Sequence, residues 1–295
     1  MLFGVHTTVD VREAGVVGTF AVPEGPDPHP GVVALSGSGG GIPSWWGDLL
    51  APHGIAVLAA AYFGVEPLPS VLCEVPIETV ATACEWLRAR PEVRPGPIGL
   101  VGGSKGAELA LLAASTYPRL IGPVAAIAPS CVAWFGVDLT GAVRDASARS
   151  SWTLGGEPVP FVPPVPGVGF EETDRGRRSV GIYAAALEQA DAVARAAIPV
   201  ERATGPLLLL SGGDDGMCPA TAMARAIVAR MAAHGRRDDV RHLDFPDCGH
   251  VIVRPWPSGA APAMPFDNGG TAAALDAAHE VALPAVVEHL GGVTR

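Results

Sequence analysis

Short apolar runs alternate along the chain with stretches whose apolar residues recur at helical spacing. That alternation predicts β-α units packed on a mostly parallel sheet. The run GVVALSG at 31–37 reads as a buried strand ending in glycines, and SWWGDLLAPHG at 44–54 as a short helix stopped by Gly54. IAVLAAAYFG at 55–64 is the next strand, and PIETVATACEWLRAR places Val80, Cys84 and Leu87 on one helical face between prolines. The strand PIGLVGG at 97–103, a helix from Lys105 to about Thr116 and the strand PVAAIAPS at 123–130 continue the rhythm. It breaks over 131–200, where Trp134, Phe135, Trp152 and Phe161 stand among prolines and glycines. A long irregular excursion of this kind is expected to form a lid or binding loop. Order returns with the strand GPLLLLSGG at 205–213, a helix from 219 to about 233, the strand VRHLDF at 240–245 and a last helix from about 271 to 290. The first thirty residues have room for a β-hairpin at the sheet edge. No repeat or linker divides the chain, so one α/β domain over 1–295 is expected.

Composition narrows the field. With 48% hydrophobic residues, 295 residues bury a large core. The net charge of -10 leaves no basic face for a phosphate backbone, so nucleic acid is not an expected partner. No basic start precedes an apolar core at the amino terminus, and no apolar run reaches the roughly 18 residues of a spanning helix. A soluble, cytoplasmic protein with no membrane partner is expected. Cys73, Cys84, Cys131, Cys218 and Cys248 are scattered and odd in number, which suggests neither a disulfide framework nor a zinc site. Lys105 is the one lysine among 20 basic residues.

The candidate chemistry starts at IGLVGGSKGAEL, a strand, a turn and a helix carrying Gly102-x-Ser104-x-Gly106. In that context the pattern is a nucleophile elbow: the sharp turn lifts the Ser104 hydroxyl off the sheet, and the helix points its positive end at the site. A hydroxyl attacks carbonyls only when a base takes its proton and an acid holds that base. The expected chain order is serine, then an acid after a later strand, then histidine. Asp215 in SGGDDGMCP and His250 in PDCGHVIVRPW supply it, with Asp214 the competitor for the acid role. Asp215 is preferred because it lies deeper in the loop, where Asp214 reads as a turn or cap aspartate. Of the other histidines, His53 adjoins a helix-ending glycine, His242 is inside a strand, and His279 and His289 lie in the last helix. Two amides should hold an oxyanion: Lys105, and either Ser38 or Gly39 in LSGSGGG. That loop is a weak candidate for binding phosphate, since no acidic ribose partner follows a next strand. Trp46 and Trp134 are expected to line an acyl pocket. No metal or organic cofactor is called for.

Together, LSGSGGGIPSWWGDLLAPHGIAVLAAAYFG, VGGSKGAELALLAAS, IPVERATGPLLLLSGGDD, CGHVIVRPW and FDNGGTAAALDAAHEVALPAVVEHLGG make the chain resemble the catalytic domain of acyl-CoA thioesterases and bile acid-CoA:amino acid N-acyltransferases, from about residue 30 to 293. The resemblance implies an α/β-hydrolase fold with a triad at Ser104, Asp215 and His250. It also implies a small acyl thioester or ester as substrate, and a serine nucleophile leans toward hydrolysis rather than N-acyl transfer. Two-domain members carry a β-sandwich ahead of the catalytic domain; this sequence is read as lacking it, and its amino-terminal segment resembles dienelactone-hydrolase-type enzymes. A carboxylesterase or lactonase, an acyltransferase, and a ligand-binding pseudoenzyme are the competing readings.

Overall fold

The computed structural model describes residues 6–25, 28–256 and 265–292. Residues 1–5 and 26–27 of the expected amino-terminal hairpin lie outside them. Within it, strands β1 (His6–Glu13) and β2 (Val16–Pro23) pair antiparallel from His6 opposite Pro23 to Glu13 opposite Val16. Ala14 and Gly15 between them both take positive φ, 50° and 78°. Two such residues turn a hairpin with the twist its strands require.

Six further strands complete the main sheet: β3 (Gly31–Leu35), β4 (Ala56–Ala60), β5 (Ile98–Gly103), β6 (Ile121–Ile127), β7 (Leu207–Gly212) and β8 (Val240–Phe245). Their order is β1-β2-β4-β3-β5-β6-β7-β8. Pairing is antiparallel for β1–β2 and β2–β4 and parallel for every other neighbour. Strand residues alternate between two cores, as period-two side chains must. Val33, Leu35, Leu58, Leu207 and Leu209 pack with Leu87 of α2 (Glu78–Arg88), Leu109 of α3 (Lys105–Thr116) and Ile227. Val32, Ala34, Val57, Leu208 and Leu210 pack on the opposite face with Trp46 and Leu50 of a short helix, α1 (Trp45–Leu50), and with Val286 and Leu290. Helices therefore cover both faces, which is why β3 to β7 read as continuous apolar runs rather than alternating ones.

Between β6 and β7 the stretch expected to be irregular contains two helices, α4 (Val180–Leu187) and α5 (Ala190–Ala196), besides short strand pairs. Their alanine-rich composition favours helix, but each is only about two turns long, and the prolines and glycines before them hide the periodicity. This region packs its own core of Val132, Trp134, Phe135, Val162 and Ala186 against Cys218, Ala220 and Met223. The chain ends in α6 (Ala220–Ala233) and α7 (Ala272–Gly291). Among the described residues no helix is long and apolar enough to cross a membrane.

This topology gathers loops at one edge. The segments after β3, β5, β6, β7 and β8 all leave from the carboxyl ends of parallel strands, where ligands of open α/β sheets bind.

Candidate functional site

The turn after β5 explains its own glycines. Ser104 has φ 55° and ψ -119°, a conformation L-residues rarely adopt. Holding it costs on the order of 1–3 kcal/mol, which the surrounding structure must offset. The Ser104 amide donates to Ile127 O at 2.8 Å, and the Ser104 carbonyl accepts from the amide of Glu108 at 3.0 Å. A Cβ on Gly102 would lie 2.5 Å from the Gly106 backbone, and one on Gly106 would lie 2.4 Å from Ser36 O. Gly103 has no such neighbour within 4 Å. The first and last glycines of the pattern are thus required by close backbone approach, and the middle one is not. The Ser104 hydroxyl has no hydrogen-bond partner among the described residues and borders two cavities.

Asp215, in the loop after β7, is 6% exposed. Its Oδ1 accepts from the amides of Met217 (2.7 Å) and Cys218 (3.0 Å), and its Oδ2 accepts from His250 Nδ1 at 2.8 Å. A carboxylate so held fixes the imidazole's tautomer and leaves Nε2 free. His250 and Ser104 line the same cavity, and the His250 amide donates to Asn268 O at 2.8 Å. Asp214 is directed elsewhere: it accepts from the Gly270 amide at 2.8 Å and pairs with Arg178 at 3.2 Å. These contacts, the Gly270 amide first, hold its carboxyl below the usual range. The other histidines assigned to strand or helix are also occupied: His242 Nε2 lies 2.8 Å from Ser211 Oγ, and His289 Nε2 lies 3.1 Å from Val124 O.

Asp215 Oδ2, Cys218 Sγ and His250 Nδ1 are also the kinds of atom that bind metals, and all lie within 4.8 Å of one another. The 2.8 Å separation of Oδ2 from Nδ1 is a hydrogen bond's length. Two ligands on a tetrahedral zinc with bonds near 2.0–2.1 Å would stand about 3.3 Å apart. The Cys218 thiol, 3.7 Å from Asp215 Oδ2, is pushed well above its ordinary value by burial and then by that carboxylate.

Lys105 and Ser38 border a small inner cavity of about 40 Å³ with Ser104; Gly39 lies in the same turn as Ser38 and lines none of the cavities described. As first residue of α3, Lys105 has an amide with no acceptor inside the helix. Trp134 lines the inner cavity, and its indole donates to Ser130 Oγ at 2.7 Å. Trp46 lies on the opposite side, stacked on Trp45 at 4.3 Å, and lines a cavity of about 330 Å³ with Ile42, Pro43, Val251 and His250.

Sequence reasoning missed what the Lys105 side chain does. Its ammonium is buried 3.1 Å from Glu108 Oε2 and donates to Phe135 O (3.2 Å) and Ser151 Oγ (2.8 Å). Glu108 Oε1 accepts from the Trp134 amide (2.8 Å) and the Trp152 indole (2.6 Å). The first turn of α3 is thereby fastened to the 131–200 segment at four points. The signal was a lone lysine three residues before a glutamate on a helix whose every other side chain is apolar or small. The FDNGG stretch also acts locally: Asn268 O receives the amides of His250 and Gly216, interlacing the acid and histidine loops.

The sheet order, the strained serine after β5 and the acid and histidine loops after β7 and β8 define an α/β-hydrolase. The chain belongs to the family described as BAAT / Acyl-CoA thioester hydrolase C terminal, which matches residues 75–267. It is 35% identical to human acyl-coenzyme A thioesterase 1 over 250 residues, 83% of this chain and 54% of that protein. It is 30% identical over 247 residues to acyl-coenzyme A amino acid N-acyltransferase 2 of Rattus norvegicus, 83% of this chain and 54% of that one. The chain thus spans about half the length of these relatives. A solved dienelactone hydrolase-like promiscuous phosphotriesterase from metagenomic libraries shares the fold with a TM-score of 0.57 at 16% identity, over 97% of this chain and 98% of its own.

Proposed function

We propose that the protein is a serine acyl hydrolase acting on an acyl thioester of the acyl-CoA type, with Ser104 as nucleophile, His250 as base and Asp215 as the acid that orients it. The observation that carries this reading is the 2.8 Å contact of Asp215 Oδ2 with His250 Nδ1, on a cavity that the strained Ser104 also borders. Ser104 Oγ attacks the carbonyl carbon as His250 Nε2 takes its proton, and the carbonyl oxygen becomes an oxyanion. The amide of Lys105 and that of Ser38 or Gly39 stabilise it, aided by the positive end of α3. The carbon–sulfur bond breaks, the thiol leaves with the proton from His250, and an acyl ester remains on Ser104. Water, deprotonated by His250, attacks that ester and releases the carboxylic acid. The 131–200 segment, bound to α3 through Lys105 and Glu108, serves as the lid that shapes access to Ser104.

Acyl transfer to an amine is the second reading, supported by the likeness to the N-acyltransferases. The deciding experiment treats the protein with a fluorophosphonate and follows thiol release from acyl-CoA substrates. Labelling lost in Ser104→Ala, with serine-dependent thiol release into water, supports the hydrolase. No labelling at neutral pH overturns it in favour of a ligand-binding protein, and release that requires an added amine favours the transferase.

A further inference from the structure

The two cavities on either side of Ser104 differ in one respect that assigns them. His250 lines the 330 Å³ cavity beside Trp45 and Trp46 and borders neither of the others. The departing atom of an acyl substrate has to lie within hydrogen-bond reach of the imidazole that protonates it. The leaving group therefore belongs on the His250 side, and the acyl carbon is directed the other way, into the inner cavity with Ser38, Trp134 and Tyr183.

That inner cavity is too small for more than a short acyl group, and it adjoins a larger one. Ser38, Ser179, Tyr183 and Met217 border both it and a groove of about 790 Å³. Tyr183 stands where the two meet, its ring stacked on Phe135 at 5.4 Å and edge-on to Trp134 at 4.9 Å. Beyond Tyr183 the walls are apolar: Phe135, Val137, Leu139, Val165, Val168 and Phe170. Six large apolar side chains stand exposed among the described residues, and three of them, Leu139 (56%), Val168 (37%) and Phe170 (45%), line this groove. Exposed apolar surface gathered in one place marks a binding site.

Two charged residues, Asp138 and Arg177, line the groove. Asp138 accepts from the amides of Thr140, Gly141 and Val143. The Arg177 guanidinium lies over the Phe170 and Phe266 rings, at 5.4 and 6.0 Å, with Glu172 4.0 Å away. Asp138, whose carboxyl those amides hold in its charged form, repels a phosphate or a carboxylate, and one guanidinium spread over two rings stands against it. We infer that the groove holds the acyl chain of the substrate, a long aliphatic hydrocarbon that enters past Tyr183. The inference rests on the acyl-hydrolase reading and adds to it which end of the substrate lies where.

The test uses two ester series on the full chain. One varies the acyl group with 4-nitrophenol fixed as leaving group, from acetate through octanoate to dodecanoate. The other fixes acetate and lengthens the alcohol over the same range. In the unsubstituted protein kcat/KM is expected to rise with acyl length, by up to about fourfold per methylene at 0.8 kcal/mol each. In Phe170→Asp and Leu139→Asp, both at exposed positions, the dodecanoate-to-acetate ratio of kcat/KM should fall at least tenfold, and the slope of the alcohol series should follow the parent's. A ratio within twofold of the parent in both variants overturns the assignment. So does loss of the slope in the alcohol series instead, which would put the leaving group in the groove. Fluorophosphonate titration of each protein separates the two claims: labelling with a flat acyl series removes the groove alone, and absent labelling removes the hydrolase reading with it.

Discussion

Glu108 offers the sharpest test of the physics around the candidate site. Glu108 is 1% exposed and Lys105 is 4% exposed, so their pairing takes place out of water. Glu108→Gln keeps the side chain's shape, and its remaining oxygen still accepts from the Trp134 amide and the Trp152 indole. The counter-charge is removed, and an NH2 replaces the Oε2 that stands 3.1 Å from the Lys105 ammonium. Leaving one member of a buried pair uncompensated costs about 3–5 kcal/mol. A ceiling comes from Lys105 itself, which can escape by losing its proton. From an ordinary value of about 10.4, at 1.36 kcal/mol per pH unit, that release costs about 4.6 kcal/mol at pH 7. Burial already lowers the Lys105 value, opposed by Glu108, and without Glu108 it falls further. The folded-state value then lies well below the unfolded one, so the unfolded chain binds the proton more firmly and the variant gains stability as pH rises toward about 10.4. Urea unfolding followed by tryptophan fluorescence should show the variant less stable by about 3–4.6 kcal/mol at pH 7, with the gap narrowing by up to about 2.7 kcal/mol at pH 9. Adding Lys105→Met should recover more than half of the loss. A gap below about 1 kcal/mol at pH 7, no larger than one ordinary hydrogen bond, would refute the argument. A gap of the same size at both pH values would do so as well.

Other substitutions probe the remaining geometry. Asp215→Asn should lower kcat by several orders of magnitude while the melting transition survives, because the imidazole loses its charged partner; Asp214→Asn should be much milder in rate, and the reverse ranking would move the acid role to Asp214. Gly106→Ala places a Cβ against Ser36 O and should cost more than about 3 kcal/mol or prevent folding, whereas Gly103→Ala, with open space around it, should change the unfolding free energy from urea titration by less than about 1 kcal/mol. Glu201 makes a two-pronged contact with Arg230, 2.5 and 2.8 Å, and this holds its carboxyl at about 2. Because that value is depressed, the pair's contribution is present above about pH 4.5 and fades as pH falls toward 2. With solvent screening it amounts to about 1 kcal/mol at most, and Glu201→Gln should flatten that part of the acid unfolding curve; an unchanged curve would exclude the pair as its source.

Most strands and helices are legible in the sequence because they are written in local periodicity, and β3 to β7 bury both faces in apolar runs. The region 131–200 is not, since α4 and α5 are short and their apolar face is defined by Trp134, Phe135 and Met223 rather than by their own spacing. The serine turn is legible because close packing leaves glycine alone at 102 and 106, and that requirement shows in the sequence.

What the sequence determined by itself was the order of the parts: a strand, a strained serine and a helix, then an acid loop, then a histidine loop, each after its own strand. Tertiary structure alone decided which atoms meet. Asp214 and Asp215 are chemically identical neighbours, and which of them contacts His250 is set by the 267–270 loop, whose Gly270 amide and Asn268 carbonyl hold Asp214 and His250 in place while Met217 and Cys218 amides turn Asp215 inward. Lys105 and Glu108 could be seen to share a helix, but their engagement with Phe135, Ser151, Trp134 and Trp152 depends on how the 131–200 segment returns over α3. Contacts between residues far apart in the chain are set by loop closure and packing, and no period along the sequence encodes them.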